Sequence, residues 1–218
     1  MFISNHRNIF SDRLDAARQL AQRLRQFEDS HPLILAIPRG GVPIGKVIAT
    51  MLHGDLDVVL VRKLAAAFDP EYALGSIDEA GQVWRSDDLT AAEEESFPRL
   101  ADIKSEQLKE LKRRRELYTP IRRPIQTQGR IVIVVDDGLA TGASMAAALH
   151  SARHQHPAKL VCAIPVAAIE NLRKITPLAD EIICLHALSD FGAVSQYYRH
   201  FPQIEDAEVV SQLSDGSC

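Results

Sequence analysis

Hydrophobic and polar positions along this chain follow two patterns in turn, which predict strands alternating with helices. Short, mainly apolar runs are typical of strands that are buried on both faces of a parallel sheet. These runs are Leu33 to Ile37, Leu56 to Val61, Ile131 to Val135, Leu160 to Ile164 and Glu181 to Leu185. Because strands and helices alternate, the pattern indicates βαβ units with right-handed crossovers.

Apolar residues at helical spacing predict the helices between and around these strands. The predicted helices are a first one capped by Ser11 or Asp12 and reaching Phe27, then Val42 to Leu52, Thr90 to Tyr118 with a break at Pro98, Ala143 to Ala152, Ala167 to Ile175 and Glu205 to Leu213. The expected fold class is therefore α/β, with a parallel sheet flanked by helices.

The alternation stops between the second and third strands. Leu64 to Asp88 is rich in turn residues, with short extended pieces at Tyr72 to Ile77 and Gln82 to Arg85. We expect one domain over residues 1–218, since this length suits a single α/β unit with an appendage. Its core covers about 30–63 and 129–187, an inserted lid or helical segment about 64–128, and a small C-terminal hood about 188–218.

Composition and charge exclude several classes of protein. Hydrophobic residues make up 46% of the chain, enough for a full core, which excludes a disordered chain. The formal net charge of −4 argues against a protein that binds nucleic acid through bulk electrostatics. The sequence has no apolar run of membrane-spanning length and no leader-like start, so we expect no membrane partner and a cytoplasmic location.

The segment from Ile131 to Ser144 carries the strongest chemical pattern. A buried strand ends in Asp136 and Asp137, and a glycine-containing loop then leads into a helix. A loop before a helix N-terminus offers unpaired N–H groups and the positive end of a dipole, which suits a phosphate. The candidate phosphate-binding residues are Gly138, Leu139, Ala140, Thr141, Gly142, Ala143 and Ser144.

The two carboxylates have a different use from the loop. They would repel a phosphate, and they suit hydroxyl groups or a divalent cation instead. One strand end therefore offers the polarity of a ribose 5-phosphate. Two alternatives stay open: a phosphoacceptor or Mg²⁺ site of the response-regulator or haloacid-dehalogenase type, and a structural turn with a helix cap. The late position of the strand and the direct adjacency of the aspartates weigh against the first alternative.

Basic residues follow two other predicted strands. The first strand ends in Pro38-Arg39-Gly40-Gly41, and the second ends in Arg62-Lys63. Ligands of open parallel sheets bind outside the carboxyl ends of strands, where the strand order reverses. Two cationic strand ends beside an anionic one fit a substrate with a sugar at one end and a pyrophosphate at the other. Taken singly, each could also be an ordinary surface turn or strand end.

One segment, VVDDGLATGAS at residues 134–144, resembles the signature of the type I phosphoribosyltransferases. The chain is also similar to a bacterial subgroup with the sequences DVVLVRK and DDGLATGAS and a tail of the form FxAVxxYY. The resemblance implies that Asp136 and Asp137 hold the ribose 2- and 3-hydroxyls of phosphoribosyl pyrophosphate (PRPP), and that the loop holds its 5-phosphate. It also implies a pyrophosphate site formed by Arg39, Gly40, Gly41, Arg62 and Lys63.

The resemblance further implies a reaction in nucleotide metabolism. Mg²⁺-dependent transfer of ribose 5-phosphate from PRPP to a small-molecule acceptor, a nitrogenous base, would release pyrophosphate, as in a pentosyltransferase of the glycosyltransferase class. Arg39, Lys63 and the metal would stabilise the departing pyrophosphate. Asp136 and Asp137 would orient the ribose and bind Mg²⁺, directly or through water or ribose hydroxyls. A homodimer is the expected assembly. The alternative is a non-catalytic regulator on the same fold that senses PRPP or a nucleotide.

The insert and the tail are expected to complete the site. Leu64 to Asp88 occupies the place of the family's flexible loop, so it is either a mobile lid or a fixed subdomain, with Glu71 and Asp78 as weak candidates for the base. Aromatic rings of the tail could stack on an acceptor base, or they could pack the last helix onto the sheet. The candidate tail residues are Phe191, Gly192, Val194, Tyr197 and Tyr198.

Overall fold

The computed structural model describes residues 9–66, 69–85, 100–118 and 124–214. Its strands are β1 (Leu33–Ala36), β2 (Asp55–Val58), β3 (Val61–Ala66), β4 (Asp69–Asp78), β5 (Val83–Arg85), β6 (Ile131–Val135), β7 (Lys159–Ala168) and β8 (Glu181–Leu188). Its α-helices are α1 (Arg13–Arg23), α2 (Gly41–Met51), α3 (Leu100–Tyr118), α4 (Ala143–His154), α5 (Ile169–Ile175) and α6 (Asp206–Ser214). Short 3₁₀ helices at Arg25–Ser30, Thr176–Leu178 and Val194–Tyr197 lie in the connections.

The central sheet of the described chain has five parallel strands in the order β2-β1-β6-β7-β8. Leu33 of β1 pairs with Asp55 of β2 on one side and with Val132 of β6 on the other. The chain therefore leaves β1 toward one edge and later returns to its opposite side, so the strand order reverses between β1 and β6. The expected α/β class, with helices flanking a parallel sheet, is confirmed.

Alternate residues of the central strands face two helical layers. Ile34 and Ala36 of β1 pack with α1, α2 and α6 on one face of the sheet. Leu33 and Leu35 pack with α4 and α5 on the other face. Because both faces are covered, successive residues of a strand are all apolar, and this produces the uninterrupted β-branched run in β6.

Part of the insert forms a second, antiparallel sheet in the order β3-β4-β5. It packs against α4, where the Ser151 hydroxyl donates to Oδ2 of Asp78 over 2.9 Å and the rings of Trp84 and His150 stack with centroids 5.5 Å apart. The two predicted extended pieces are confirmed as β4 and β5. The buried contacts favour a fixed position for residues 75–78, while closure of the insert over a ligand stays a prediction.

The prediction for the second strand, Leu56 to Val61, is wrong at its carboxyl end. β2 ends at Val58, and β3 of the other sheet begins at Val61. Arg62 and Lys63 therefore lie within β3 and do not end a core strand. A continuous apolar run shows that residues are buried, but it does not show where a chain changes its hydrogen-bonding partner.

Helix boundaries differ slightly from the predictions. α5 begins at Ile169 rather than Ala167, because β7 continues to Ala168. The predicted break at Pro98 lies outside the described residues, and α3 is described from Leu100. Within the described ranges, no helix has both the length and the apolar character that a membrane span requires.

Candidate functional site

The candidate site lies where β1 and β6 end, at the reversal of strand order. Pro38 and Arg39, joined by a cis peptide bond, follow β1, while Asp136 and Asp137 follow β6. The two connections touch at Gly40, where a Cβ would collide with the Asp137 carboxylate and lie 2.6 Å from its Cγ. The structure therefore brings the predicted pyrophosphate loop and the acidic pair into direct contact.

Gly41 has a structural role that differs from the one expected. A Cβ on this residue would lie 2.7 Å from the Val135 carbonyl oxygen, so the first turn of α2 packs directly on the end of β6. Its N–H donates to the Ile37 carbonyl over 3.0 Å and is not available to a pyrophosphate. Within the described chain, no hydrogen bond engages the N–H groups of Arg39 and Gly40, which leaves them as backbone donors for an anion.

The two carboxylates are largely shielded from water. The N–H of Asp137 donates to Oδ1 of Asp136 over 2.8 Å. Burial, with a smaller contribution from the Asp137 charge, raises the pKa of Asp136 well above its usual range. Burial also raises the pKa of Asp137, but Arg13 acts in the opposite direction. A buried, incompletely neutralised pair of acceptors suits donors such as sugar hydroxyls.

Arg13 is a site residue that the sequence prediction missed. Its Nε and Nη2 lie 3.0 and 2.9 Å from Oδ2 of Asp137, and Nη1 donates to the Pro202 carbonyl over 2.8 Å. Its guanidinium carbon lies 3.6 Å from the centre of the Phe201 ring. One signal was available: Arg13 shares the buried face of α1 with Leu20, and a charge on such a face needs a partner.

The loop between Asp137 and α4 has the geometry of an anion site. Gly142, with φ of +81°, precedes α4 and provides no side-chain cap. In the part of the chain that the structure describes, no hydrogen bond engages the N–H groups of Ala140, Thr141 and Gly142. Thr141 and Ser144 are exposed. We call residues 140–144 the anion cradle, because their N–H groups, hydroxyls and helix dipole suit a phosphate.

The start of this loop is fixed to the sheet. The Leu139 N–H donates to the Val166 carbonyl, and the Leu139 carbonyl accepts from Ala168, both over 2.9 Å. The Asn171 side chain donates to the Ala140 carbonyl over 2.6 Å. The prediction that Leu139 binds the phosphate is therefore wrong, because its N–H already has a partner and its side chain is buried.

The predicted pyrophosphate-binding cations have separate outcomes. Arg39 lies in the loop that touches the acidic pair, and its Nη1 is 3.3 Å from Oε2 of Glu205. Arg62 contacts α3, since its Nε donates to Gln107 over 2.8 Å, and its assignment to the pyrophosphate stays a prediction. Lys63 lies in β3 and its side chain is outside the described residues, so its role stays a prediction.

The two tyrosines of the tail serve packing. Tyr197 and Tyr198 are each 3% exposed. The Tyr198 ring lies against Phe10 and Phe201, with centroids 5.3 and 4.8 Å away, and its hydroxyl donates to the Asp137 carbonyl over 2.6 Å. Of the two alternatives for the tail aromatics, the structure favours packing for Tyr197 and Tyr198, because neighbouring side chains cover both rings.

Other tail residues reach the loop after β6. A Cβ on Gly138 would lie 2.5 Å from Cγ1 of Val194, so the tail lies directly against the start of that loop. The Phe191 ring is only partly buried, with its centroid 4.9 Å from that of Tyr197. Gly192 is exposed. Contact of Phe191 with an acceptor stays a prediction.

Asp78 has a structural role and is not a candidate base. Its carboxylate accepts from the Ser151 hydroxyl and from the Gln82 N–H, each over 2.9 Å, and the residue is 4% exposed. It therefore closes the turn between β4 and β5 and ties the second sheet to α4. The side chain of Glu71, the other candidate, lies outside the described residues.

Mg²⁺ fits the donor set of this site when substrate oxygens complete its shell. Among the described residues, no group of three or more His, Cys, Asp or Glu is placed to hold a metal ion. Mg²⁺ commonly takes one or two protein carboxylates and fills its other positions with water and substrate phosphates. Asp136 and Oδ1 of Asp137 can contribute in this way, while Arg13 holds Oδ2 of Asp137.

Asp136→Asn is expected to raise the melting temperature near neutral pH. The folded-state pKa of Asp136 lies above its unfolded value, so its contribution to stability is present at low pH and is lost as the pH rises. The amide of the variant cannot ionise, and its oxygen can still accept from the Asp137 N–H. Thermal melts should show a higher melting temperature for the variant than for the wild type at about pH 8, and this difference should disappear below about pH 4. An equal or lower melting temperature at the higher pH contradicts the buried-charge account.

The fold and the site together define an α/β protein with an anion cradle and an acidic pair at the reversal of a parallel sheet. The family profile described as the phosphoribosyl transferase domain matches residues 7–201. This chain therefore belongs to the phosphoribosyltransferase family, which confirms the resemblance carried by residues 134–144.

Known relatives agree with this assignment. A Mycobacterium tuberculosis protein named "Putative phosphoribosyl transferase Rv0571c" is 42% identical over 205 residues, 94% of this chain and 46% of that protein. The chain thus spans about half the length of the curated relatives it matches. The crystal structure of TT1426 from Thermus thermophilus has a TM-score of 0.84 and 37% identity, over 96% of this chain and 99% of that one. A hypothetical protein from Neisseria gonorrhoeae with bound ppGpp has a TM-score of 0.54 and 12% identity, over 96% of this chain and 94% of that one, which shows the fold alone.

Proposed function

We propose that this chain transfers ribose 5-phosphate from PRPP to a small-molecule acceptor, a nitrogenous base, with pyrophosphate as the leaving group. One observation carries the proposal: the Arg39-Gly40 loop, the acidic pair and the anion cradle meet at one reversal point of the sheet. The loop would bind a pyrophosphate, the acidic pair would bind ribose hydroxyls, and the anion cradle would bind a 5-phosphate. Membership of the family supports the same assignment.

Each part of the site has one task in the proposed reaction. The anion cradle binds the 5-phosphate through its N–H groups and the dipole of α4. Asp136 and Asp137 accept hydrogen bonds from ribose hydroxyls and so orient the anomeric carbon toward the acceptor. The guanidinium of Arg39, with the N–H groups of Arg39 and Gly40, binds the pyrophosphate, on which negative charge grows as the bond breaks. Mg²⁺ bound with PRPP would neutralise part of that charge.

The charge of the acidic pair also suits the sugar in the transition state. Departure of pyrophosphate gives the anomeric carbon oxocarbenium character, as in glycoside chemistry. Carboxylates that hold the hydroxyls of the same ring place negative potential beside this developing positive charge. Because Asp136 and Asp137 are partly buried, water screens that interaction less than it would at the open surface.

A panel assay tests the proposed function. The protein is incubated with Mg²⁺, PRPP and single acceptors drawn from purines, pyrimidines and non-base amines, and the released pyrophosphate is measured. We expect release that depends on one class of acceptor. PRPP binding without release would favour the alternative of a PRPP-sensing regulator. Neither binding nor release would contradict the proposal as a whole.

Two further features belong to the same proposal. Lys63 would add positive charge at the pyrophosphate, and Lys63→Ala should then slow the chemical step more than it weakens binding of ribose 5-phosphate. A homodimer is the assembly we expect in solution, since closed two-fold symmetry is the commonest state of soluble oligomers. Single-turnover kinetics measure the effect of Lys63→Ala on the chemical step. Sedimentation measures the assembly state in solution.

Gly142→Val is expected to weaken binding of ribose 5-phosphate by about tenfold, because strain at positive φ is of the order of 1–2 kcal/mol and would redirect the N–H groups of the anion cradle. Gly129→Val is the matched control. Gly129 has φ of +72°, close to the +81° of Gly142, and a Cβ on it would meet no atom within 4 Å. Calorimetry should show weaker binding only for Gly142→Val, although both variants lose stability. Equal affinities would contradict the cradle assignment.

A further inference from the structure

The Arg13 side chain connects the acidic pair to segments that are distant in sequence. Arg13 lies at the start of α1, 124 residues before Asp137 and 189 before Pro202. All three guanidinium nitrogens are engaged: Nε and Nη2 by Oδ2 of Asp137, and Nη1 by the Pro202 carbonyl. The Phe201 ring covers the guanidinium, and the side chain is only 8% exposed. These contacts restrict the guanidinium to one position, and they fix the oxygen that it holds.

The backbone of Asp137 is held from two further directions. Its carbonyl accepts the Tyr198 hydroxyl over 2.6 Å, and its N–H donates to Asp136 over 2.8 Å. Among the described residues, no other residue donates a hydrogen bond to Oδ1 of Asp137. The Asp137 side chain is 15% exposed, so the carboxylate is still open to a ligand. One oxygen is therefore committed to the protein, and the other is available.

We infer that Arg13 is a positioning residue for the sugar: it holds Oδ2 of Asp137 so that Oδ1 is presented to a ribose hydroxyl. The inference rests on the proposed function, because it assumes that the ribose binds at the acidic pair. A free carboxylate rotates about its Cβ–Cγ bond, and a hydroxyl that binds it must stop that rotation. Arg13 makes this restriction before the ligand arrives, so less entropy is lost on binding.

A ratio of two affinities separates positioning from simple stabilisation. Ribose 5-phosphate and inorganic phosphate both place one phosphate in the anion cradle, but only the sugar reaches Asp137. Loss of positive charge or damage to the cradle weakens both ligands together and leaves their ratio unchanged. The preference for ribose 5-phosphate over inorganic phosphate, measured by calorimetry, therefore reports on the hydroxyl contacts alone.

Arg13→Gln is expected to reduce this preference by about tenfold, because the loss of a hydrogen bond to a charged group lowers an affinity by about this factor. Arg13→Lys keeps the charge but cannot hold Asp137 and Pro202 together, and should reduce the preference by about threefold. If Arg13→Gln does not fold, the preference of Arg13→Lys alone tests the positioning role of Arg13. Arg130→Gln is the control: Arg130 pairs with Asp55 over 2.8 Å at the opposite end of the sheet, so its loss should leave the preference unchanged.

The outcomes separate this inference from the proposed function. A wild-type protein without any preference for ribose 5-phosphate would overturn both. A wild-type preference that persists unchanged in folded Arg13→Gln, or in Arg13→Lys, would overturn the positioning role and leave the proposed function intact. A reduced preference in both variants, with Arg130→Gln at the wild-type value, is the result that the structure predicts.

Discussion

The double variant Asp136→Asn, Asp137→Asn is expected to lose at least about a hundredfold in PRPP affinity, together with all measurable turnover. Each carboxylate should accept a ribose hydroxyl, and a hydrogen bond to a charged group contributes about 1.5–3 kcal/mol. The carboxamides keep the shape of the side chains and remove their charge. Calorimetric titration with Mg²⁺ and PRPP measures the loss in affinity.

Asp180→Asn is the control for the double variant. Asp180 accepts from the Leu160 N–H over 2.7 Å and pairs with Arg153 over 2.8 Å, at the amino end of the same sheet. Its loss should lower stability without changing PRPP affinity. A double variant that binds PRPP as tightly as Asp180→Asn would show that the acidic pair does not hold the ribose.

The stability of the single variants should differ in sign. Asp136→Asn removes a largely buried charge with a raised pKa, so this variant should be more stable than the wild type near neutral pH. Asp137→Asn leaves the buried Arg13 without its counter-ion, which destabilises the fold. The double variant combines these opposite effects, so its melting temperature should lie between those of the two single variants.

Gly40→Ala is expected to reduce PRPP turnover by at least about a hundredfold, because one added methyl group displaces a carboxylate from its position. The backbone of Gly40 has φ of −62° and ψ of −31°, which alanine adopts without strain. The loss must therefore come from the Cβ, which would collide with Oδ2 of Asp137. Steady-state kinetics of the folded variant measure it, and inorganic phosphate affinity at the anion cradle should change little.

Gly45→Ala, within the helix that follows Gly40, is the matched control. A Cβ on Gly45 would lie 2.9 Å from Cδ1 of Leu56 and 3.0 Å from Cβ of Ala36, inside the core and not at the acidic pair. This variant should melt lower and keep its turnover. If Gly40→Ala retains turnover like that of Gly45→Ala, contact between the Arg39-Gly40 loop and the acidic pair is not needed for function.

Local pattern was sufficient to predict most of the fold and the two segments that form the main part of the candidate site. The run Ile131 to Val135 is apolar throughout because both sheet faces are covered, and this property can be read from five consecutive residues. The acidic pair and the anion cradle are also contiguous in sequence, so their proximity requires no tertiary information. For the same reason, Arg39 and Gly40 could be assigned to a loop after a strand.

The errors arose where contacts between distant segments decide the outcome. Arg13 meets Asp137 across 124 residues, and no local pattern identifies that partner. The sequence alone left open whether Tyr198 stacks on a ligand or serves packing, and Phe10 and Phe201 cover its ring. The N–H of Leu139 belongs to a phosphate-binding signature, yet β7 engages it. In each case, a chemically suitable group already had a partner within the protein.

A crystal structure with ribose 5-phosphate tests the central claim most directly. We expect the phosphate within hydrogen-bond distance of the N–H groups of Ala140, Thr141 and Gly142, and the ribose hydroxyls on Asp136 and Asp137. Oδ2 of Asp137 should stay on Arg13. A phosphate bound outside residues 140–144, or a sugar that does not contact the acidic pair, would contradict the assignment of this sheet edge as the ribose 5-phosphate site.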